Sequence, residues 1–177
     1  MSKKGRPKDM SDIEWLVALE EIRQLKARRD RYVDAGDLEA YEALHAPDHQ
    51  SHHAHTTTDH SAVQWNSAAE MIEGLRKIKS ERGDSRSCHH SYDAEIIFDT
   101  RTKARGVWAM TAGGVHRKED GSEGWGITFG YYYETYERRD GEWVFTQRRW
   151  HRYFAMGSDG VVFPTQPVKG PDAFVQE

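Results

Sequence analysis

The chain is nearly devoid of cysteine: Cys88 stands alone among 177 residues. One thiol excludes an internal disulfide and fits a reducing compartment, so a cytoplasmic location is expected. Long apolar runs are missing too. None approaches the roughly 20 residues of a membrane-spanning helix, so no membrane partner is expected. The basic start "MSKKGRPK" has no apolar segment behind it and does not read as a secretory signal. Neither sign of charge dominates: 25 Lys and Arg against 29 Asp and Glu leave a formal charge of −4. That balance gives nucleic acid no bulk attraction. Proline is scarce, and three of the five residues fall after Ser158.

What is present suits one domain with a hydrophobic core. Residues 1–10 read as a flexible tail, 11–156 as a single α+β domain, and 157–177 as a tail that docks on the domain or a neighbouring subunit. From Ser11, apolar residues at Ile13, Leu16, Val17, Leu19, Ile22, Leu25, Tyr32 and Val33 keep helical spacing. Ser11 with Glu14 makes a capping box, and Gly36 supplies a stop. Asp37 caps a short second helix that Pro47 ends. "NSAAEMIEGLRKIKSERGD" reads as a third helix, capped by Asn66 or Ser67 and stopped by Gly83. Strand-like segments follow to about Phe154, with Asp140-Gly141 marking a tight hairpin. Helices followed by strands predict a curved antiparallel sheet wrapped around the long N-terminal helix. Such a cone encloses an internal pocket for a small apolar ligand.

Histidine is concentrated: "HAPDHQSHHAHTTTDH" holds six of the ten. Three readings stand side by side. A metal site needs at least three ligands, and His49, His53 and His55 would share a strand face. Against it, Pro47 breaks the helix that His45 and His49 would need, and no HExxH occurs; no metal is expected. The plainest reading is a solvated strand end and loop. The third turns His49 or His53 into the pocket, giving a second acid or base.

Several stretches resemble the SnoaL-like group of the nuclear transport factor 2-like superfamily. "EIRQLKARRDRYVDAGDLEAYEALHAPDH" is similar to the group's opening, "HHSYDAEIIFDTRTKARGVWAM" to its central strand pair, and "FGYYYETYERRDGEWVFTQRRWHRYF" to its final hairpin. Together they cover roughly residues 12–154. The resemblance implies the cone fold, but leaves the reaction open, because the superfamily holds dehydratases, a dehydrochlorinase, isomerases, cyclases, other lyases and non-catalytic subunits. The match to its dehydratase and dehydrochlorinase members implies an acid-base pair of Asp34 with His90, His89 being the rival, and a pocket cation at Arg148, with Arg149 as alternative. The Asn that commonly follows the strand histidine by four is replaced here by Ala94.

Chemistry agrees with such a pair. A histidine takes a proton from substrate while a carboxylate holds its other N–H and fixes the tautomer. The plainer reading is a helix cap and a core histidine. Tyr32 lies near the pair in sequence and is a candidate catalytic phenol. His49, His53, His89, Trp108, Tyr131 and Tyr133 are candidate substrate contacts, against ordinary aromatic packing. Trp125 reads as pocket wall or core, and Cys88 as a small buried residue. The abundance of aromatics favours a flat ligand. The expected activity is a cofactor-independent lyase removing water, HX or formaldehyde from a small aromatic or alicyclic alcohol or diol. An isomerase or cyclase and a non-catalytic binding subunit are the alternatives. A homo-oligomer is expected, a trimer before a dimer.

Overall fold

The structure is a computed structural model describing residues 5–54, 63–83, 85–118 and 120–162, without the side chains of residues 53, 54, 82 and 162. Helix α1 (Asp12–Ala35) starts at the expected capping box: Ser11 Oγ accepts from the Glu14 amide, and the Glu14 carboxylate accepts from the Ser11 amide at 2.8 Å. It ends at Gly36, whose φ of 72° allows the left-handed C-cap. Asp37 caps α2 (Leu38–Glu42) through the Ala40 amide. Strands β1 (His45–Ala54) and β2 (Val63–Trp65) precede α3 (Ala68–Arg82), which Ser67 caps. Then come β3 (Ser85–Thr100), β4 (Lys103–Arg117), β5 (Glu123–Arg139), β6 (Glu142–Gly157) and β7 (Gly160–Val162).

The strand order is β2-β1-β6-β5-β4-β3, with β7 also on β6. Arg139 pairs with Glu142, so Asp140-Gly141 forms a two-residue hairpin turn, with both residues at positive φ. The sheet is not antiparallel throughout: β1 runs parallel to β6, with Ser51 opposite Arg148. Consecutive strands announce their pairing through short turns, whereas β1 meets its partner only after most of the chain has passed. Bulges curve the sheet around α1. Two residues of β3, Asp93 and Ala94, oppose one on β4, and β6 carries an extra residue at Thr146 and again at Tyr153.

One core cluster joins Leu19, Ile22 and Leu25 of α1 to Phe98, Trp108, Met110, Tyr132, Tyr136 and Phe145 of the sheet. Met10, within the expected N-terminal tail, is buried in it, and β7 lies inside the segment read as a C-terminal tail. A second cluster gathers Tyr41, Trp65, Met71 and Ile72. The buried side of α1 departs from the apolar pattern. Ile13 (75%), Leu16 and Val17 are exposed, whereas Lys26, Arg29 and Asp30 are buried. The side of α1 that meets the sheet is thus apolar at Leu19, Ile22 and Leu25 and charged from Lys26 onward.

Candidate active site

Ile22, Lys26, Asp30 and Asp34 form an i, i+4 row on α1, and this row lies against Ser87, His89 and Ser91 of β3. At the open end, Asp34 Oδ1 sits 2.6 Å from His89 Nδ1 and accepts from Ser87 Oγ at 3.0 Å. Its other oxygen accepts from the His89 amide at 2.7 Å. Burial raises the Asp34 pKa, but the bonds from the His89 side chain and amide and from Ser87 outweigh it and hold the carboxyl below its usual value. An ionised carboxylate only accepts, so His89 Nδ1 must carry hydrogen, and Nε2 of the neutral ring is a bare lone pair. About a fifth of each side chain is exposed, so solvent or substrate can reach the pair.

His89, and not His90, therefore meets Asp34. Successive residues of a strand point to opposite faces, so the neighbouring imidazole turns outward. His90 is exposed, and its Nε2 lies 3.2 Å from Cys88 Sγ; Cys88 is exposed as well, contrary to the expected buried role. Tyr131 and Tyr133 alternate onto the face opposite Tyr132, Glu134 and Tyr136, in register with His151 and Arg149; Tyr131 is exposed there and Tyr133 is buried. Tyr32 packs against the second cluster. Trp108 is buried and donates to the Tyr136 hydroxyl at 2.8 Å. Arg148 does point inward and is buried. The His53 side chain and all of His55 lie outside the described residues.

Below the rim, the interior expected to be an apolar pocket is filled with charged groups. Lys26 Nζ lies 2.5 Å from Glu134 Oε1 and 4.0 Å from the centre of the Tyr132 ring. The other Glu134 oxygen accepts from the Tyr136 hydroxyl at 2.6 Å. Burial drives the Lys26 pKa down, against the pull of Glu134 and Asp30. Asp30 takes bonds from Arg29 at 2.8 Å and Ser91 at 2.7 Å. Arg29 and Arg148 both donate to the Tyr41 hydroxyl, at 2.9 and 3.1 Å. Among the described residues, Lys26, Arg29 and Arg148 are buried together with the carboxylates of Asp30 and Glu134. Sequence reasoning missed Lys26, Arg29, Asp30, Tyr41, Tyr132, Glu134 and Tyr136; the i, i+4 row through Asp34 was the available signal.

His49 is fully buried beside His45, their ring centres 4.6 Å apart. No cluster of three or more His, Cys, Asp or Glu able to hold a metal occurs among the described residues. A polar cleft of about 340 Å³ lies away from the pair, lined by Asp48, Lys103, Glu137 and Arg139 among others. Its charges satisfy one another, with Arg139 at 2.6 Å from Asp48 and Lys103 at 2.9 Å from Glu137. It is a surface salt-bridge groove without the reactive groups. Among the described residues, no helix is long and apolar enough to cross a membrane.

The SnoaL-like domain matches residues 15–149. The fold is similar to that of a candidate scytalone dehydratase from Novosphingobium aromaticivorans, with a TM-score of 0.70 and 20% identity over 90% of this chain and 100% of that one. A type 3 hexachlorocyclohexane dehydrochlorinase from Novosphingobium barchaimii gives 0.69 and 16% over 89% and 100%. An NTF2-like protein of unknown function from Pseudomonas putida gives 0.63 and 19% over 86% and 98%. At these identities the likeness carries the fold alone. Among curated proteins none matches the chain.

Proposed function

The chain belongs to the SnoaL-like domain family, and from that premise we propose a cofactor-independent lyase that eliminates water, HX or formaldehyde from a small aromatic or alicyclic alcohol or diol. The Asp34–His89 bond carries this reading. His89 Nε2 takes a proton from the substrate; for loss of water, the C–H electron pair becomes the new double bond, the C–O bond breaks, and the imidazolium proton passes to the departing oxygen, which leaves as water and restores the neutral ring. Asp34 keeps the ring oriented and stabilises the imidazolium that forms. The buried guanidinium groups of Arg29 and Arg148 favour the negative charge that develops on the departing group. Neighbours whose names include a dehydratase and a dehydrochlorinase support elimination as the reaction class.

Exposed apolar residues on the sheet's outer face, including Tyr92, Trp125, Tyr131 and Met156, support a homo-oligomer built through that face. A trimer is favoured over a dimer, and sedimentation of the purified protein decides between them.

The activity is tested by incubating purified protein with aromatic and alicyclic alcohols, diols and halides, with and without EDTA, and following product mass. Loss of water, HX or formaldehyde that survives EDTA supports the reading. A product of unchanged mass replaces it with an isomerase, and activity restored by added metal contradicts it.

A further inference from the structure

Along β6, Arg148, Trp150 and Arg152 share one face, because side chains two apart on a strand point the same way and the pairing with β5 stays in step from Gln147 to Arg152. Arg148 is buried in the interior, so that face is the concave one, and Trp150 packs against the main core cluster. The Arg152 guanidinium lies over the Trp150 ring, 4.9 Å from its centre. Arg29 has Asp30 and Tyr41 for partners, and Arg148 has Tyr41. Arg152 has neither a hydrogen bond nor a carboxylate partner among the described residues: its Nε is buried and open, and desolvation lowers its pKa with no acid to oppose it. The side chain as a whole is only partly buried, so its terminal nitrogens stay within reach of solvent. A guanidinium keeps its charge at any working pH and presents paired N–H groups, the shape that a carboxylate fills.

The register sets this cation across the sheet from the reactive histidine. One row of paired residues runs from Ser91 through Met110 and Gly130 to Arg152, and the next runs from His89 through Ala112 and Thr128 to Ala155. His89 and Arg152 therefore stand on β3 and β6, three strand spacings of about 4.8 Å apart, and the curvature of the sheet shortens the span. Ala112, Thr128 and Ala155 are short and partly exposed, so the floor between the two is open to a ligand. Gly130 leaves the place beside Arg152 clear, and a Cβ there would strike the His151 carbonyl oxygen. We propose that Arg152 anchors a carboxylate of the substrate, with the Trp150 ring holding the guanidinium in place, so that the substrate is an aromatic or alicyclic hydroxy acid. The substrate class of the lyase reading is thereby narrowed, and the assignment rests on that reading for His89 as the base.

Benzoate and benzamide test the anchor, since they share one ring and nearly one shape but only benzoate is charged. Calorimetry on the full chain is expected to show benzoate binding about tenfold tighter than benzamide, and Arg152→Gln is expected to erase the difference. Arg149→Gln, on the opposite face of the same strand, should keep it. In ¹⁵N-arginine-labelled protein, benzoate should shift the Nε–H resonance that Arg152→Gln removes. Equal affinities, no binding by either compound, an unmoved resonance, or a preference that survives Arg152→Gln overturns the proposal. Should that variant not fold, Arg152→Lys keeps the charge but loses the paired N–H groups, and it should weaken benzoate severalfold while leaving benzamide unchanged; an unchanged benzoate affinity overturns the proposal. A wild-type preference for benzoate with no elimination from any hydroxy acid would sink the lyase and leave the anchor standing. Elimination from neutral alcohols with equal affinities for the two probes would do the reverse.

Discussion

The rim and the interior of the cone use the same grammar and reach opposite results. At the rim, Asp34 is paired with His89, and a fifth of each side chain meets solvent. Two turns earlier on the same helix, Lys26 is paired with Glu134, and both are sealed, at 1% and 0% exposure. Both pairs join α1 to the sheet across short, charge-assisted bonds. The difference is water. A sealed pair cannot exchange a proton without stranding a charge, so it acts as structure. A reachable pair can lose and regain its proton, so it can act on a substrate. Position along one helix row separates the two roles.

The contrast breaks most visibly if one sealed partner is removed. Glu134→Ala leaves the Lys26 ammonium buried without its carboxylate, and urea unfolding should show a loss of about 3–5 kcal/mol. Replacing both, as Lys26→Met with Glu134→Leu, should recover most of it. A small effect from Glu134→Ala would mean the interior is wetter than its burial implies.

The next effect is a pH dependence. His49 is neutral when folded, held down to about 4 by burial and by Arg29, against the opposing pull of the Phe145 carbonyl and Asp48. The unfolded chain binds the extra proton at an ordinary value near 6.5. The unfolded state therefore holds more protons between those values, so this contribution is fully present above pH 6.5 and is lost as pH falls toward 4. The loss amounts to about 3 kcal/mol at most. Unfolding curves across that range should slope for wild type and slope less for His49→Asn, with buried His45 supplying the slope that remains. Asp34 acts in a separate window: its carboxyl is depressed, so its contribution is present above about 3.9 and lost only as pH falls further.

Asp34→Asn sharpens the comparison from the other side. It should change stability by about 1 kcal/mol, as a partly exposed pair does, while turnover falls about 10²–10⁴-fold. A large loss of stability with retained turnover would make the rim pair structural, like the sealed one. The smallest effect belongs to Cys88→Ser on the outer face, which should leave both stability and turnover unchanged.

Local chemistry was legible in the chain. The Ser11–Glu14 box, Gly36, the Asp37 cap and the Asp140-Gly141 turn act over three or four residues, and each stands where the spacing places it. Membership of the SnoaL-like family was legible in the helix opening and the last hairpin. Facing was not. Which of His89 and His90 turns inward depends on how β3 seats against α1, and the bulge at Asp93 and Ala94 shifts the phase between the two ends of that strand. The same one-residue ambiguity put Tyr131 and Tyr133 in place of Tyr132. The parallel pairing of β1 with β6 is non-local and leaves no turn signal. The charged interior was not legible: Lys26, Arg29 and Asp30 lie off the apolar pattern that marks a buried helix face, and charges rarely fill a core.

The most direct measurement compares the two adjacent histidines. Steady-state elimination should fall at least 10²-fold in His89→Ala, with the fold intact by circular dichroism, and stay at the wild-type level in His90→Ala. Full activity in His89→Ala, or its loss in His90→Ala alone, would contradict the assignment of the Asp34–His89 pair as the acid-base centre.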